Sequence, residues 1–184
     1  MKKDAIWSLA GGIGGALLVV AGLVALRVSV LNPYSVPSSS MFPTVRAGQT
    51  IWGYKLAYRK PADVHRGDLV VHRLNQEIYV KRVVGLPGDT IRTAGEKVYV
   101  NGTLLPQRPV RMEDGLNVFT ESLDGRSYEV AAKLPVPRDL PIPNVSITVP
   151  ADSFFLLGDN RTNSFDSRHT GCIAWPQIIG RILQ

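Results

Sequence analysis

The chain has 184 residues, a formal net charge of +6 and a single cysteine, Cys172. That length allows one domain with a real core, the lone cysteine excludes an intramolecular disulfide, and three scattered histidines offer no spacing for a structural zinc site. Residues 31–184 carry 18 basic and 14 acidic side chains that alternate in sign, which speaks against nucleic-acid binding and for mild attraction to an anionic membrane surface.

Residues 1–4 are a short tail with Lys2 and Lys3. From Ala5 to Leu26 there are 22 residues without a charge, which at the helical rise is about 33 Å, the thickness of a bilayer core. A cleavable signal peptide has a shorter apolar region and a small-x-small site, so 5–26 is read as an uncleaved anchor. The lysines before it place the N-terminus in the cytoplasm and residues after about 30 outside; Arg27 is a mild counter-signal. Glycines 11, 12, 14, 15 and 22 suit either a helix contact or an ordinary span.

Next comes Pro37–Val45, PSSSMFPTV, which by composition is a serine-rich stalk or loop. Beyond it, Gln49–Lys55, Asp68–Arg73 and Glu77–Val84 have the β-branched and aromatic character of strands, with turns at Gly48, at Arg66-Gly67-Asp68 and at Leu86-Pro87-Gly88-Asp89. Alternation along Glu77–Val84 puts Tyr79, Lys81 and Val83 on one face and Val80, Arg82 and Val84 on the other. Asn101-Gly102 predicts a tight hairpin after Lys97–Val100, and Asp124-Gly125 another between Phe119 and Tyr128. The pattern loosens from Pro106 to Pro150, then resumes with Ser153–Leu157 and ends with a strand over Ile178–Leu183. Helical periodicity is absent, and the fold class is mostly β, with short antiparallel strands.

Lys81 is either a solvated surface lysine or, if buried, a lysine whose amine loses its proton easily and can deprotonate a serine. The run Gly158–Arg168, GDNRTNSFDSR, is either a polar turn or a scaffold for a reactive group. A serine-histidine-aspartate triad through His72 or His169 with Asp166 is arithmetically open, but no GxSxG elbow accompanies it.

PSSSMFPT, RGDLVVHR, YVKRVVGLPGDT and FFLLGDNRTNSFDSR occur in this order behind the apolar segment. Together they make the chain resemble the type I signal peptidases of bacteria and organelles. The resemblance is weakest from Pro106 to Pro150. It implies an antiparallel catalytic domain over 31–184 with a small inserted β part at about 101–150. It implies Ser40 as nucleophile, Lys81 as general base, Ser38 as oxyanion support and Ser164 as a hydrogen-bond partner of the lysine. Asp166 with Arg168 is implied as a supporting ion pair, Asp159 and Arg161 as further scaffolding, and Ser39 as a spacer. No metal or cofactor is implied.

The implied activity is a membrane-bound serine endopeptidase that removes signal peptides at the outer face of the cytoplasmic membrane. Its partners would be preproteins, the bilayer and the secretion translocon. Rival readings are a dedicated processing peptidase, a self-cleaving repressor relative and a silent domain that only binds exported chains. Met41, Phe42 and Trp52 could rest against lipid or lie in the core.

Overall fold

The structure is a computed structural model that describes residues 30–137 and 142–183. The expected tail and anchor, 1–4 and 5–26, lie outside the described residues. Among the described residues no helix is long and apolar enough to cross a membrane. The described chain from Pro33 onward belongs to one compact unit, Pro33–Gln184.

In chain order the strands begin β1 (Leu31–Ser35), β2 (Thr50–Tyr54), β3 (Leu69–Leu74), β4 (Glu77–Gly85), β5 (Thr90–Ala94), β6 (Lys97–Val100) and β7 (Thr103–Leu104). They continue with β8 (Gln107–Glu113), β9 (Leu116–Leu123), β10 (Arg126–Ala132), β11 (Ser146–Thr148) and β12 (Ser153–Leu157). A one-turn helix α1 (Ser167–Thr170) then precedes β13 (Ile173–Ala174) and β14 (Ile178–Ile182). Three sheets result: a seven-stranded one in the order β1-β2-β14-β3-β4-β12-β13, a three-stranded one, β10-β9-β8, and a four-stranded one, β11-β5-β6-β7.

The strands expected over residues 49–55, 68–73, 77–84, 153–157 and 178–183 are present within a residue or two, and the fold is mostly antiparallel β. Both predicted hairpins form, with Asn101-Gly102 and Asp124-Gly125 all at positive φ, the backbone that tight hairpin turns require. The helix α1 was not expected. It is too short to show a 3.6-residue period, and a side-chain cap holds it: the Asp166 carboxylate accepts the Arg168 backbone N–H at 3.2 Å.

The loosened stretch is better ordered than its composition suggests. The edge strand β8 is exposed along most of its length, so it carries no apolar alternation, and Pro109 sits at the register shift against β9. The part expected at about 101–150 contains β7 to β11. Its end strands β7 and β11 join β5 and β6 in the four-stranded sheet, and β8–β10 form the separate three-stranded one.

Two apolar clusters hold the serine loop. Met41 is fully buried with Val36, Val45, Leu69, Val71 and Val80, while Phe42 turns the other way onto Val118 and Ala131 of the three-stranded sheet. Burying side chains of this size contributes about 1.5–3 kcal/mol each, enough to fix the intervening backbone. Met41 and Phe42 therefore belong to the core and cannot face lipid; Trp52, 46% exposed, can.

Candidate active site

Ser40 sits in the turn between β1 and β2, tied at three points. The Phe42 N–H donates to the Ser39 carbonyl at 3.1 Å, the Val45 N–H to the Met41 carbonyl at 2.9 Å, and the Asn160 N–H to the Ser40 carbonyl at 3.1 Å. The last bond joins the serine loop to the polar run after β12. That approach demands a glycine at 158, because a Cβ there would collide with Ser164 and with the Ser40 carbonyl oxygen. The Ser40 N–H donates to no group among the described residues.

Lys81 comes from the centre of β4, opposite Val70 of β3. Its side chain is 2% exposed, and its Nζ lies 2.7 Å from Ser40 Oγ. Burial lowers the amine to about 8, the charges of Asp166 and Asp159 oppose that shift, and Arg168 adds to it. Ser38 Oγ lies 3.2 Å from Ser40 Oγ. The site thus unites a hydroxyl, an amine that can lose its proton near neutral pH, and a second hydroxyl beside the first.

The polar run supplies the frame. Arg168 donates to both Asp166 oxygens at 2.9 and 2.8 Å, and the Gly158 N–H donates to the same carboxylate at 3.0 Å. Burial alone would raise Asp166, but the Arg168 hydrogen bonds and charge outweigh it and hold the carboxyl below its usual range. Arg168 also donates to the Arg161 carbonyl at 2.7 Å.

Asp159 and Arg161 do not pair with each other. Asp159 accepts two bonds from Arg82 at 2.7 and 2.6 Å and one from Thr44 at 2.5 Å. Arg161 donates to Glu121 of β9 at 2.8 and 2.5 Å. Ser164, implied as the partner of Lys81, is partly buried, and its hydroxyl oxygen is enclosed without a hydrogen-bond partner and does not bond Lys81. It lies near enough to Asp166 to favour the ionised carboxylate, short of a well-formed bond. Ser39 is more than a spacer: its Oγ accepts from Asn163 Nδ2 at 3.0 Å and its carbonyl from Asn160 Nδ2 at 3.3 Å.

Four residues of the frame escaped the sequence reading: Arg82, Thr44, Glu121 and Tyr128, whose ring lies 3.9 Å from the Arg82 guanidinium. Arg82 carried a signal, a basic residue beside Lys81 on a strand that is otherwise apolar at that end. Glu121 carried none, since its partner lies 40 residues away.

His72 is buried and stacked on Tyr79 at 5.6 Å, and burial, then the Lys81 charge, lowers it to about 4. His169 packs on Phe165. Neither imidazole bonds Ser40 in the structure, so the triad has no geometric support. Cys172 is half-buried at the margin of a core cluster.

Two clefts meet at the pair. One, of about 290 Å³, runs between the Tyr34–Ser38 segment and Glu77–Lys81 over an apolar floor of Val36, Met41 and Val80. The other, of about 460 Å³, continues past Ser39 and Ala47 to Asn163 and Phe165. Along the first cleft β4 is paired on one edge only: β3 covers residues 77–82, and β12 joins the other edge from Arg82 onward.

A hydroxyl hydrogen-bonded to a desolvated amine, at the junction of two clefts in an antiparallel β unit, can carry out nucleophilic attack on a carbonyl and defines the class as a serine hydrolase. The family model "Signal peptidase, peptidase S26" matches residues 9–183, and the chain belongs to that family of serine peptidases. Signal peptidase I of Pseudomonas aeruginosa is 37% identical over 166 residues, covering 80% of this chain and 58% of that protein. The Bacillus caldolyticus signal peptidase I is 34% identical over 171 residues, 90% of this chain and 84% of that one. The Bacillus subtilis signal peptidase I V is 34% identical over 187 residues, 99% and 98% of the two chains. A solved signal peptidase I from Enterococcus faecalis is 26% identical, with 66% of this chain and 97% of that chain covered at a TM-score of 0.44.

Proposed function

We propose that the chain is a membrane-anchored endopeptidase that removes signal peptides from exported preproteins with Ser40 as nucleophile and Lys81 as general base. The observation that carries this reading is the 2.7 Å hydrogen bond between Ser40 Oγ and the buried Lys81 amine. Neutral Lys81 takes the Ser40 proton as Oγ attacks the scissile carbonyl, then returns it to the leaving amine. An acyl-enzyme remains, and water activated by Lys81 hydrolyses it. The Ser40 N–H and the Ser38 hydroxyl are placed to stabilise the oxyanion, a contribution of about 3–4 kcal/mol per donor in such sites.

The open edge of β4 offers backbone groups to an extended peptide, which would add as a strand with its scissile bond at Ser40. Asp166, Arg168, Asp159 and Arg161 hold the run that pins the serine loop, and Ser164 fills the space against Gly158. Residues 5–26 anchor the chain with the N-terminus in the cytoplasm, and residues 31–184 work at the outer face. There Trp52, Leu56 and Leu183 present exposed apolar surface toward lipid, close to the translocon from which preproteins emerge.

The test is cleavage of a preprotein by the full chain and by Ser40→Ala and Lys81→Ala. Both variants are expected to fold and to lose cleavage. Full activity in either one rules out the serine-lysine assignment. A silent binding domain predicts no cleavage by the unaltered chain.

A further inference from the structure

Phe165 has no part in the serine-lysine chemistry, yet it stands in the wall of the catalytic cleft. It is 54% exposed, an unusual position for a large aromatic side chain, and it shares the 460 Å³ cleft with Ser40, Lys81, Ala47 and Asn163. Its mounting is rigid. The next residue, Asp166, is buried and clamped by Arg168 and by the Gly158 N–H, and the ring leans on His169 at a centroid distance of 5.2 Å. Phe165 also lines a second depression of about 200 Å³, with Thr162, Asn163 and His169, so its ring borders two hollows.

We infer that Phe165 is a specificity-determining residue that packs against the first residues after the scissile bond and favours apolar side chains there. The inference rests on the peptidase reading above. A peptide laid along the open β4 edge fills the apolar cleft with its acyl half. Its other half must leave Ser40 through the larger cleft, whose lining carries two aromatic side chains, Tyr79 and the wholly apolar, exposed Phe165. Asn163, bonded to Ser39 Oγ, lines the same cleft and ties the segment that carries Phe165 to the serine loop. An exposed aromatic ring held on a clamped base contributes apolar contact at low entropic cost, because the backbone beneath it is already fixed.

The experiment uses the full chain in detergent micelles and two peptide substrates identical up to the scissile bond, with leucine or serine in the first two positions after it. The unaltered chain is expected to cleave the leucine peptide with a kcat/KM about tenfold higher. In Phe165→Ser that ratio is expected to fall to about one, and Phe165→Leu to restore most of it. A purely structural role would slow both peptides together and leave the ratio unchanged, which would overturn the inference.

A second arm does not depend on catalysis. The leaving-half peptide beginning with leucine is titrated into Ser40→Ala and into Ser40→Ala/Phe165→Ser, with binding followed by NMR shifts. Binding to the first and its loss in the second supports the subsite. If that pattern is seen and the unaltered chain cleaves neither peptide, the peptidase reading fails and the subsite stands. If cleavage occurs with an unchanged ratio in Phe165→Ser, only the subsite fails.

Discussion

Lys81 and Arg82 are neighbours on β4, both basic and both about 2% exposed, and they point to opposite faces of the strand. On the Arg82 side a carboxylate meets the guanidinium in two parallel bonds, Gly67 offers its carbonyl at 2.7 Å, and the Tyr128 ring covers the plane. Burial would lower Arg82, but Asp159 more than compensates and raises it. On the Lys81 side the hydrogen-bond partner is a neutral hydroxyl, that of Ser40; Asp166 and Asp159 act only through space, and burial lowers the amine to about 8. Two desolvated cations thus differ in what meets them. A paired cation keeps its charge and serves the fold, while one left without a carboxylate partner gives up a proton and can serve chemistry.

The sharpest way to break this comparison is Lys81→Met. Cleavage is expected to fall by about 10²–10⁴-fold or more. Stability at pH 7 is expected to hold or to rise by about 1–2 kcal/mol, because a desolvated ammonium is replaced by an apolar chain of similar length. Parallel cleavage and chemical-denaturation measurements decide it; a marked loss of stability would show that the lysine is a structural cation like its neighbour.

On the other face, Asp159→Ala leaves Arg82 buried without its counter-ion and is expected to cost about 3–5 kcal/mol. The double replacement Arg82→Met/Asp159→Leu is expected to recover most of that, measured by the same denaturation. If Asp159→Ala costs less than about 1 kcal/mol, the pair does not anchor this face of the strand.

The third effect is on pH. Cleavage is expected to rise with pH up to about 8 as Lys81 loses its proton. Since the amine is lowered in the folded state, the unfolded chain binds more protons between about 8 and 10.5, so this group makes stability increase with pH across that window. Asp166 is the leading influence that opposes the lowering. Asp166→Asn is therefore expected to shift the acid limb of kcat/KM to lower pH, and an upward shift would mean that the Asp166 charge does not hold the amine up. The smallest effect is Ser164→Ala. Its hydroxyl is buried without a partner, so stability should change by less than about 1 kcal/mol in thermal melts.

Much of the fold was legible because local chemistry set it. Asn101-Gly102 and Asp124-Gly125 closed hairpins wherever they occurred, and β4 announced itself by β-branched alternation. The strands β1, β5, β8, β11 and β13 were not legible. The edge strand β8 is solvated along most of its length, and nothing in QRPVRME separates it from a loop until β9 lies beside it.

The site divides in the same way. Ser40, Lys81 and the run from Gly158 to Arg168 stood out as ordered motifs, and the Asp166–Arg168 pair, two residues apart, needed little more than the local turn. The partners of Asp159 and Arg161 did not stand out, since each depends on a strand distant in sequence. The serine motif by itself allowed a stalk as well as a catalytic loop, and Lys81 allowed a solvated amine as well as a buried base.

The amino-acid sequence by itself determined the β class, the tight turns, the apolar segment at 5–26 and the family motifs, because each depends on residues near one another in the chain. Only the tertiary structure decided that Lys81 is desolvated and meets Ser40 rather than a carboxylate, that Arg82 takes Asp159, and that Met41 and Phe42 are core residues. Burial and ion pairing depend on which strands come together, and that is a property of the packed sheets rather than of any one segment.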